Sequence, residues 1–392
     1  MPRSANVHTT SWVPTLALIV FLQLLSIVLL PSAAHARQSE PQVTEAQAYE
    51  IMDQDGNVLA QKNADAEMPM ASITKIMSAI VALDSGKSLD DVVTLSQDLS
   101  FEEGAQLIGL KKGDTLTFRD LMLAMLVYSG NDAASYVAIA TSGSEAAFVS
   151  KMNEKAAELG MRHTHFANPH GLETDGHYSS AHDLVVMGRH ALEDYPFIAQ
   201  AVMTRSITIP VGGVERTYAS TDHLMDTYGG LCGIKTGAVA AGTTFLGSSK
   251  QYGLQTFSCV LGCETYDGRF TDTAALMDWA YNEYFDTVVF SKSTSPIRVS
   301  NYSLGFWGKV VTRTETDVEG RSYAGKGISY QRTELRSSLL DSDSPVAYAS
   351  WYQEGRPVAH AVYETGKPIA NLPSFNVFSL PLFVDVSELI AA

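Results

Sequence analysis

Two kinds of apolar pattern alternate between positions 48 and 285 of the chain. Short runs bounded by turn residues predict strands, the first two as a hairpin around Asp55-Gly56-Asn57. The predicted strands are 48–60, 205–210, 243–248 and 254–261. Longer apolar segments with helical spacing predict helices at 72–83, 118–127, 145–159, 181–192 and 272–285. Because strands lie near both ends of this region, we expect one sheet, joined by the early hairpin and packed on a helical cluster, in an α+β or mixed α/β domain.

The pattern changes after Phe290. Residues 291–296 have a linker-like composition, and the segments that follow are short apolar runs broken by turn residues. Residues 346–352 and 357–363 predict a further hairpin. We therefore expect a first domain at 37–290 and a C-terminal β-rich domain and tail at 296–392, in which a small all-β domain extends to about residue 369.

The N-terminal segment has the three-part layout of a secretory signal. Arg3 precedes an apolar stretch at 12–30, and the small residues Ala34 and Ala36 follow it. We expect residues 1–36 to be a cleaved signal peptide, which predicts an exported, periplasmic protein. If it is not cleaved, the apolar stretch is long enough to act as a membrane anchor.

Charge and cysteine content narrow the range of partners. The chain has 43 acidic and 27 basic residues, a formal net charge of -16, so we do not expect it to bind nucleic acid, whose phosphates are held mainly by Lys and Arg. Its three cysteines, Cys232, Cys259 and Cys263, are too few for a disulfide scaffold and predict buried free thiols. Residues 375–392 contain no Lys or Arg to bind anionic lipid, so membrane association is only weakly supported.

Ser72 and Lys75 have the spacing of a nucleophile and its base. A lysine three residues after a serine on a helix lies on the same face and can remove the hydroxyl proton. The lysine is a base near neutral pH only if burial or a nearby cation disfavours its ammonium form, and apolar neighbours such as Ile76 and Met77 could bury it. Alone, this pair also fits a helix-capping serine followed by a surface lysine.

Two further motifs follow in order. Ser129-Gly130-Asn131 comes directly after an apolar helix, where we expect a loop that exposes a hydroxyl and a carboxamide. Lys235-Thr236-Gly237 precedes the strand at 243–248, in the position expected of a sheet's edge strand. The three motifs together are the signature of class A β-lactamases and penicillin-binding proteins.

The chain resembles the low-molecular-mass penicillin-binding proteins that are D-alanyl-D-alanine carboxypeptidases. The resemblance is strong over about 48–285 and looser in the β-rich tail. It is carried by the three motifs and by the segments Pro69-Met70-Ala71, Thr164-His165-Phe166, His170-Gly171-Leu172 and Tyr178-Ser179-Ser180-Ala181. It implies a serine β-lactamase/penicillin-binding-protein-like transpeptidase domain with an antiparallel sheet and a helical cluster, followed by a small all-β domain.

The resemblance also implies a role for each motif residue. Ser72 is expected to be the nucleophile, Lys75 its general base, Ser129 a hydroxyl that returns the proton, and Asn131 a ligand of the substrate's backbone amide. The substrates implied are peptidoglycan stem peptides, with β-lactams as inhibitors and no cofactor.

The remaining expected substrate-binding residues are Lys235, Thr236, Gly237, Ala238 and Arg269. Thr236 and Arg269 match positions that bind the terminal carboxylate, and the backbone N–H groups of Ser72 and Ala238 would form the oxyanion hole. Relatives often carry His or Tyr where this chain has Ala238, which puts the deacylation rate in doubt.

The sequence bears on four alternative functions. Five histidines between 163 and 182 lack the spacing of a zinc hydrolase, so no metal is expected. The loop around Glu173 does not resemble the element that activates the deacylating water of class A β-lactamases. A D,D-endopeptidase acting on cross-links remains open, because it uses the same residues. The remaining alternative is a catalytically idle wall-binding protein, against which Ser72, Lys75, Ser129 and Lys235 argue together.

Overall fold

A computed structural model describes residues 40–290, 297–303, 306–313, 317–323, 327–334, 345–353 and 355–365. The expected signal segment at 1–36 and the tail at 375–392 lie outside these residues. Within them, no helix is both long enough and apolar enough to cross a membrane.

A five-stranded antiparallel sheet organises residues 40–283. The strands of this region are β1 (Ala48–Asp53), β2 (Val58–Lys62), β3 (Val92–Thr94), β4 (Thr115–Thr117), β5 (Ser206–Val211), β6 (Val214–Ala219), β7 (Leu231–Val239), β8 (Gly242–Gln251) and β9 (Leu254–Cys263). The sheet has the order β2-β1-β9-β8-β7, so the early hairpin joins the later strands as predicted, and β7 is an edge strand. The strand predicted at 205–210 pairs instead with β6 in a separate hairpin.

Helices cover both faces of this sheet. They are α1 (Thr74–Asp84), α2 (Phe118–Leu126), α3 (Asn131–Ser142), α4 (Glu145–Glu158), α5 (Ala181–Asp194), α6 (Pro196–Ala201) and α7 (Gly268–Glu283). Because side chains alternate along a strand, Ala48 and Met52 of β1 join the core beneath α1 to α5, whereas Tyr49 and Ile51 join the core beneath α7. Every α1 residue from Thr74 to Ala82 is buried, as its composition predicted.

Three helices differ from the sequence prediction, and the first is α6, where no helix was predicted. Asn131 was expected on a loop, but it begins α3, which has Gly130 at its N-cap and Gly143, with a left-handed φ of 79°, at its C-cap. Helix α7 begins at Gly268, four residues earlier than expected, and ends at Glu283. Residues 284 and 285, expected in that helix, belong instead to a strand, because the aromatic and β-branched segment 284–290 pairs with a later strand.

The described residues after 283 are strands, in agreement with the predicted all-β character. They are β10 (Tyr284–Phe290), β11 (Ile297–Ser303), β12 (Phe306–Arg313), β13 (Val318–Tyr323), β14 (Ile328–Glu334), β15 (Pro345–Gln353) and β16 (Arg356–Thr365). The predicted hairpin is β15 with β16, within a sheet of order β11-β12-β16-β15-β14. Strand β10 precedes the boundary expected at 290–296 and pairs with β13 beyond it.

Candidate active site

Ser72 lies in a short 3-10 turn, Ala71–Ile73, that leads into α1. Lys75 is in the first turn of α1, and its Nζ lies 2.8 Å from Ser72 Oγ. The predicted spacing therefore brings the hydroxyl and the amine into hydrogen-bond contact, with Lys75 fully buried and Ser72 half-buried.

The surroundings of Lys75 favour its neutral form. Burial lowers the pKa of Lys75 well below its ordinary value, and the nearby charge of Lys235 lowers it further, against the opposing effect of Asp132. Its Nζ also contacts Asn131 Oδ1 at 2.8 Å and the carbonyl oxygen of His170 at 2.5 Å. Both oxygens can only accept, so they take the two hydrogens of a neutral amine. The nitrogen lone pair is then left to face Ser72 Oγ, as a base requires.

The turn before α3 brings the second motif to the same amine. Asn131 contacts Lys75 directly, and Ser129 is buried on the preceding turn with a left-handed φ of 69°. The carboxylate of Asp132 accepts hydrogen bonds from the backbone N–H groups of residues 108, 109 and 110 at 2.9–3.1 Å. These bonds fix the loop at 106–110 against the turn, and the carbonyl of Gln106 accepts from Asn131 N at 2.8 Å.

Edge strand β7 brings the third motif against the turn that carries Ser72. Gly237 permits this approach, because a Cβ there would lie 2.8 Å from the Cβ of Ala71. Burial and then the charge of Arg269 lower the pKa of Lys235 to about 7. Thr236 Oγ1 lies 2.6 Å from the hydroxyl of Thr221.

Arg269 lies in the first turn of α7 and is 2% exposed. Its Nη1 donates to the carbonyl of Gly237 at 2.7 Å, and the guanidinium carbon lies 4.1 Å from the ring centre of Tyr266 and 4.7 Å from that of Phe270. These contacts hold the guanidinium beside β7 and leave Nε, which is buried, without a hydrogen-bond partner among the described residues. The arrangement places the side chains of Lys235 and Arg269 along the strand that packs against the Ser72 turn.

The comparisons with known proteins agree with this geometry. The sequence profile of the D-alanyl-D-alanine carboxypeptidase family, peptidase S11, matches residues 34–265. The D-alanyl-D-alanine carboxypeptidase DacF of Bacillus subtilis (strain 168) is 32% identical over 289 residues, which cover 70% of this chain and 74% of DacF. The chain belongs to the D-alanyl-D-alanine carboxypeptidase family.

Solved structures support the same assignment. Penicillin-binding protein 5 from Haemophilus influenzae aligns with a TM-score of 0.62 at 25% identity, covering 84% of this chain and 98% of that protein. Penicillin-binding protein D2 from Listeria monocytogenes, in its cefotaxime-bound form, aligns with a TM-score of 0.54 at 30% identity, covering 60% of this chain and 97% of that one. The predicted family, fold class and serine-type carboxypeptidase activity are therefore confirmed.

Two residues of the carboxypeptidase site were missed by sequence reasoning. Thr221 contacts Thr236, and Asp222 is buried where its charge raises the pKa of Lys235. Burial raises the pKa of Asp222 itself to about 6. Both precede β7 in an irregular segment, and no local pattern marks them. Ala238, which was expected to provide a backbone donor, is exposed on β7.

The histidines between 163 and 182 have different partners in this carboxypeptidase. His182 Nδ1 lies 3.0 Å from a carboxylate oxygen of buried Glu50, whereas His177 faces Thr74. Burial lowers the pKa of His170 to about 3, so its ring is neutral beside the amine. Across the described ranges, no three His, Cys, Asp or Glu side chains are grouped as metal ligands.

Cys259 and Cys263 are buried free thiols, as predicted, but Cys232 is only half-buried.

Proposed function

We propose that Ser72 attacks the carbonyl between the last two D-alanines of a peptidoglycan pentapeptide and releases the terminal D-alanine. The Ser72 Oγ–carbon bond forms, the peptide C–N bond breaks, and water then hydrolyses the acyl-enzyme. The observation that carries this proposal is the buried Lys75 amine, whose two acceptor-only neighbours leave its lone pair for the Ser72 hydroxyl.

Proton transfer is assigned to Lys75 and Ser129. Lys75 takes the proton from Ser72, and the Ser129 hydroxyl passes a proton to the departing amine of D-alanine. The proximity of the two motifs supports this assignment, since Asn131, two residues after Ser129, touches Lys75 Nζ. In the same proposal the carboxamide of Asn131 binds the substrate's backbone amide.

The terminal carboxylate of the substrate is assigned to Lys235, Thr236 and Arg269. The support is their shared position along and beside β7, with Arg269 held at the carbonyl of Gly237. A guanidinium suits this task because it can offer two parallel donors to a carboxylate. This pocket for a free carboxylate favours an exopeptidase.

The oxyanion hole is assigned to the backbone N–H groups of Ser72 and Ala238. The close approach of Gly237 to Ala71 supports it, because it brings β7 alongside the nucleophile turn. A backbone donor is kept by any side chain except proline, so alanine at position 238 preserves it.

We further propose that β-lactams acylate Ser72, since a Listeria relative was solved in a cefotaxime-bound form. The signal-like pattern at 1–36 supports export to the periplasm, where peptidoglycan is found. A catalytic domain at 37–290 and a β-rich domain at 296–392 are part of this proposal. Peripheral membrane association has weak support because residues 375–392 lack basic side chains.

Mass spectrometry of a muramyl pentapeptide incubated with the purified protein tests this function. We expect loss of one alanine, and an intact-mass adduct with benzylpenicillin. Both should disappear in Ser72→Ala and persist in Ser85→Ala, which alters the serine just past the other end of α1. Absence of an adduct in the wild type, or its survival in Ser72→Ala, contradicts the proposal. Faster cleavage of a cross-linked dimer than of the pentapeptide would instead identify an endopeptidase.

A further inference from the structure

The residue before the nucleophile has an unusual backbone conformation. Ala71 has a left-handed φ of 50° and is 1% exposed. Such a conformation is strained for a non-glycine residue, so neighbouring groups must hold it in place. These groups also affect the active site, because the peptide that follows Ala71 carries the N–H of Ser72.

The carbonyl oxygen of Ala71 is held from within the turn. Thr74 Oγ1 donates to it at 2.7 Å, and the backbone N–H of Thr74 donates to the same oxygen. Thr74 is completely buried, so water cannot replace these bonds. Its hydroxyl has one hydrogen, and that hydrogen is committed to Ala71.

His177 completes the chain of hydrogen bonds from the loop opposite. Its Nε2 lies 2.8 Å from Thr74 Oγ1, and its Nδ1 accepts from the backbone N–H of Ala167 at 3.0 Å. Because Nδ1 accepts, the ring hydrogen must be on Nε2, which donates to Thr74. The bonds therefore run in one direction, from Ala167 through His177 and Thr74 to Ala71.

Only the neutral ring fits this chain. A doubly protonated ring would place a hydrogen on Nδ1 against the N–H of Ala167. Burial lowers the pKa of His177 to about 4, which keeps the ring neutral near neutral pH.

We infer that His177, acting through Thr74, is a positioning residue that orients the Ser72 N–H of the oxyanion hole. This rests on the proposed roles of Ser72 and its backbone. The Ala71–Ser72 peptide is trans and planar, so its C=O and N–H point in opposite directions. Fixing the Ala71 oxygen toward Thr74 therefore aims the N–H away from it, toward β7 and the reacting carbonyl.

The test compares acylation rates with binding. The full-length protein and its variants are mixed with a fluorescent penicillin, and the acylation rate constant is separated from the initial affinity. His177→Phe keeps a ring beside Phe166 but removes both nitrogens. We expect acylation to slow about 10- to 100-fold, with affinity for the intact penicillin unchanged, since loss of one oxyanion donor costs about 10²–10³-fold. His163→Phe, in the same loop, serves as the control, because His163 bonds through its backbone N–H and its ring has no hydrogen-bond partner within the described part of the chain.

A second pair of variants keeps the test decisive if His177→Phe folds poorly. Thr74→Val should slow acylation as much as His177→Phe does, and Thr74→Ser, which keeps the hydroxyl, should restore it. The double variant His177→Phe/Thr74→Val should be no slower than either single variant, because both break one chain of bonds. Additive losses, or equal rates for Thr74→Val and Thr74→Ser, would overturn the inference. A wild type without a Ser72 adduct would instead refute the proposed function.

Discussion

Gly171 offers a sharp test of how tightly the nucleophile turn is enclosed. It has a left-handed φ of 90°, and a Cβ added there would lie 2.0 Å from the carbonyl oxygen of Ala71 and 3.0 Å from the N–H nitrogen of Ser72. Both neighbours are backbone atoms, so no side-chain rotation can relieve the overlap. In Gly171→Ala the loop or the turn must move by at least 1.0 Å, the difference between 2.0 Å and the 3.0 Å below which real Cβ contacts essentially never fall.

The displacement is expected to affect rate as well as stability. Left-handed strain and overpacking together should lower the free energy of unfolding by about 2–5 kcal/mol. A misplacement of about 1 Å at a reacting group costs roughly 10²-fold in rate. We therefore expect Gly171→Ala to be acylated by penicillin about 100-fold more slowly than the wild type, under conditions in which the variant is folded.

Gly176→Ala is the matched control for this experiment. Gly176 lies in the same loop with a left-handed φ of 75°, but the nearest atom to its added Cβ is 3.7 Å away, in the side chain of His165. It should incur the same strain of about 1–2 kcal/mol without the overlap. Thermal denaturation and acylation are measured on both. If Gly171→Ala reacts as fast as Gly176→Ala, the close packing described for the turn is wrong.

Three further predictions concern other parts of the molecule. In Asp222→Asn the loss of a negative charge should lower the pKa of Lys235 below about 7. Lys235 then loses its charge at a lower pH, so kcat/KM for a pentapeptide should fall at a lower pH than in the wild type. If the fall of kcat/KM with rising pH occurs at the same pH in both proteins, the prediction is wrong. Asp132→Ala removes the acceptor of four backbone N–H groups, those of residues 108, 109, 110 and 133, and should cost about 3 kcal/mol of stability in denaturant unfolding. Asp132→Asn should lose less, and an equal loss in both variants would count against the prediction. A bulky thiol reagent should modify at most Cys232 in the folded protein and all three cysteines after unfolding. A second reactive thiol in the folded protein would contradict the burial of Cys259 and Cys263.

The catalytic pair was predictable because its geometry is local. Three residues along a helix fix the relation of Ser72 to Lys75, whatever the remainder of the fold does. The edge position of Lys235 also followed from the strand pattern after it. Helix α3 was missed because Ser129-Gly130-Asn131 has the composition of a turn, although an alanine-rich segment ending at Gly143 was a usable signal.

Contacts between distant segments could not be predicted. Thr221 and Asp222 reach the site only because β7 packs beside the nucleophile turn. His177 lies in a loop, and no feature of the neighbouring sequence predicts its hydrogen bond to Thr74, which is 103 positions earlier. The end of α7 was misjudged because 284–290 gains its strand partner from β13, more than thirty residues later.

The two glycine contacts of Ala71 also bear on antibiotic resistance. Gly171 and Gly237 enclose the turn so closely that a single methyl group at either position collides with it. A bacterium under β-lactam selection therefore has no small substitution at these two positions that reshapes the turn without damaging the cell's own peptide chemistry. Substitutions that discriminate the drug from the peptide have to arise where side chains have room, as at the exposed Ala238 on β7.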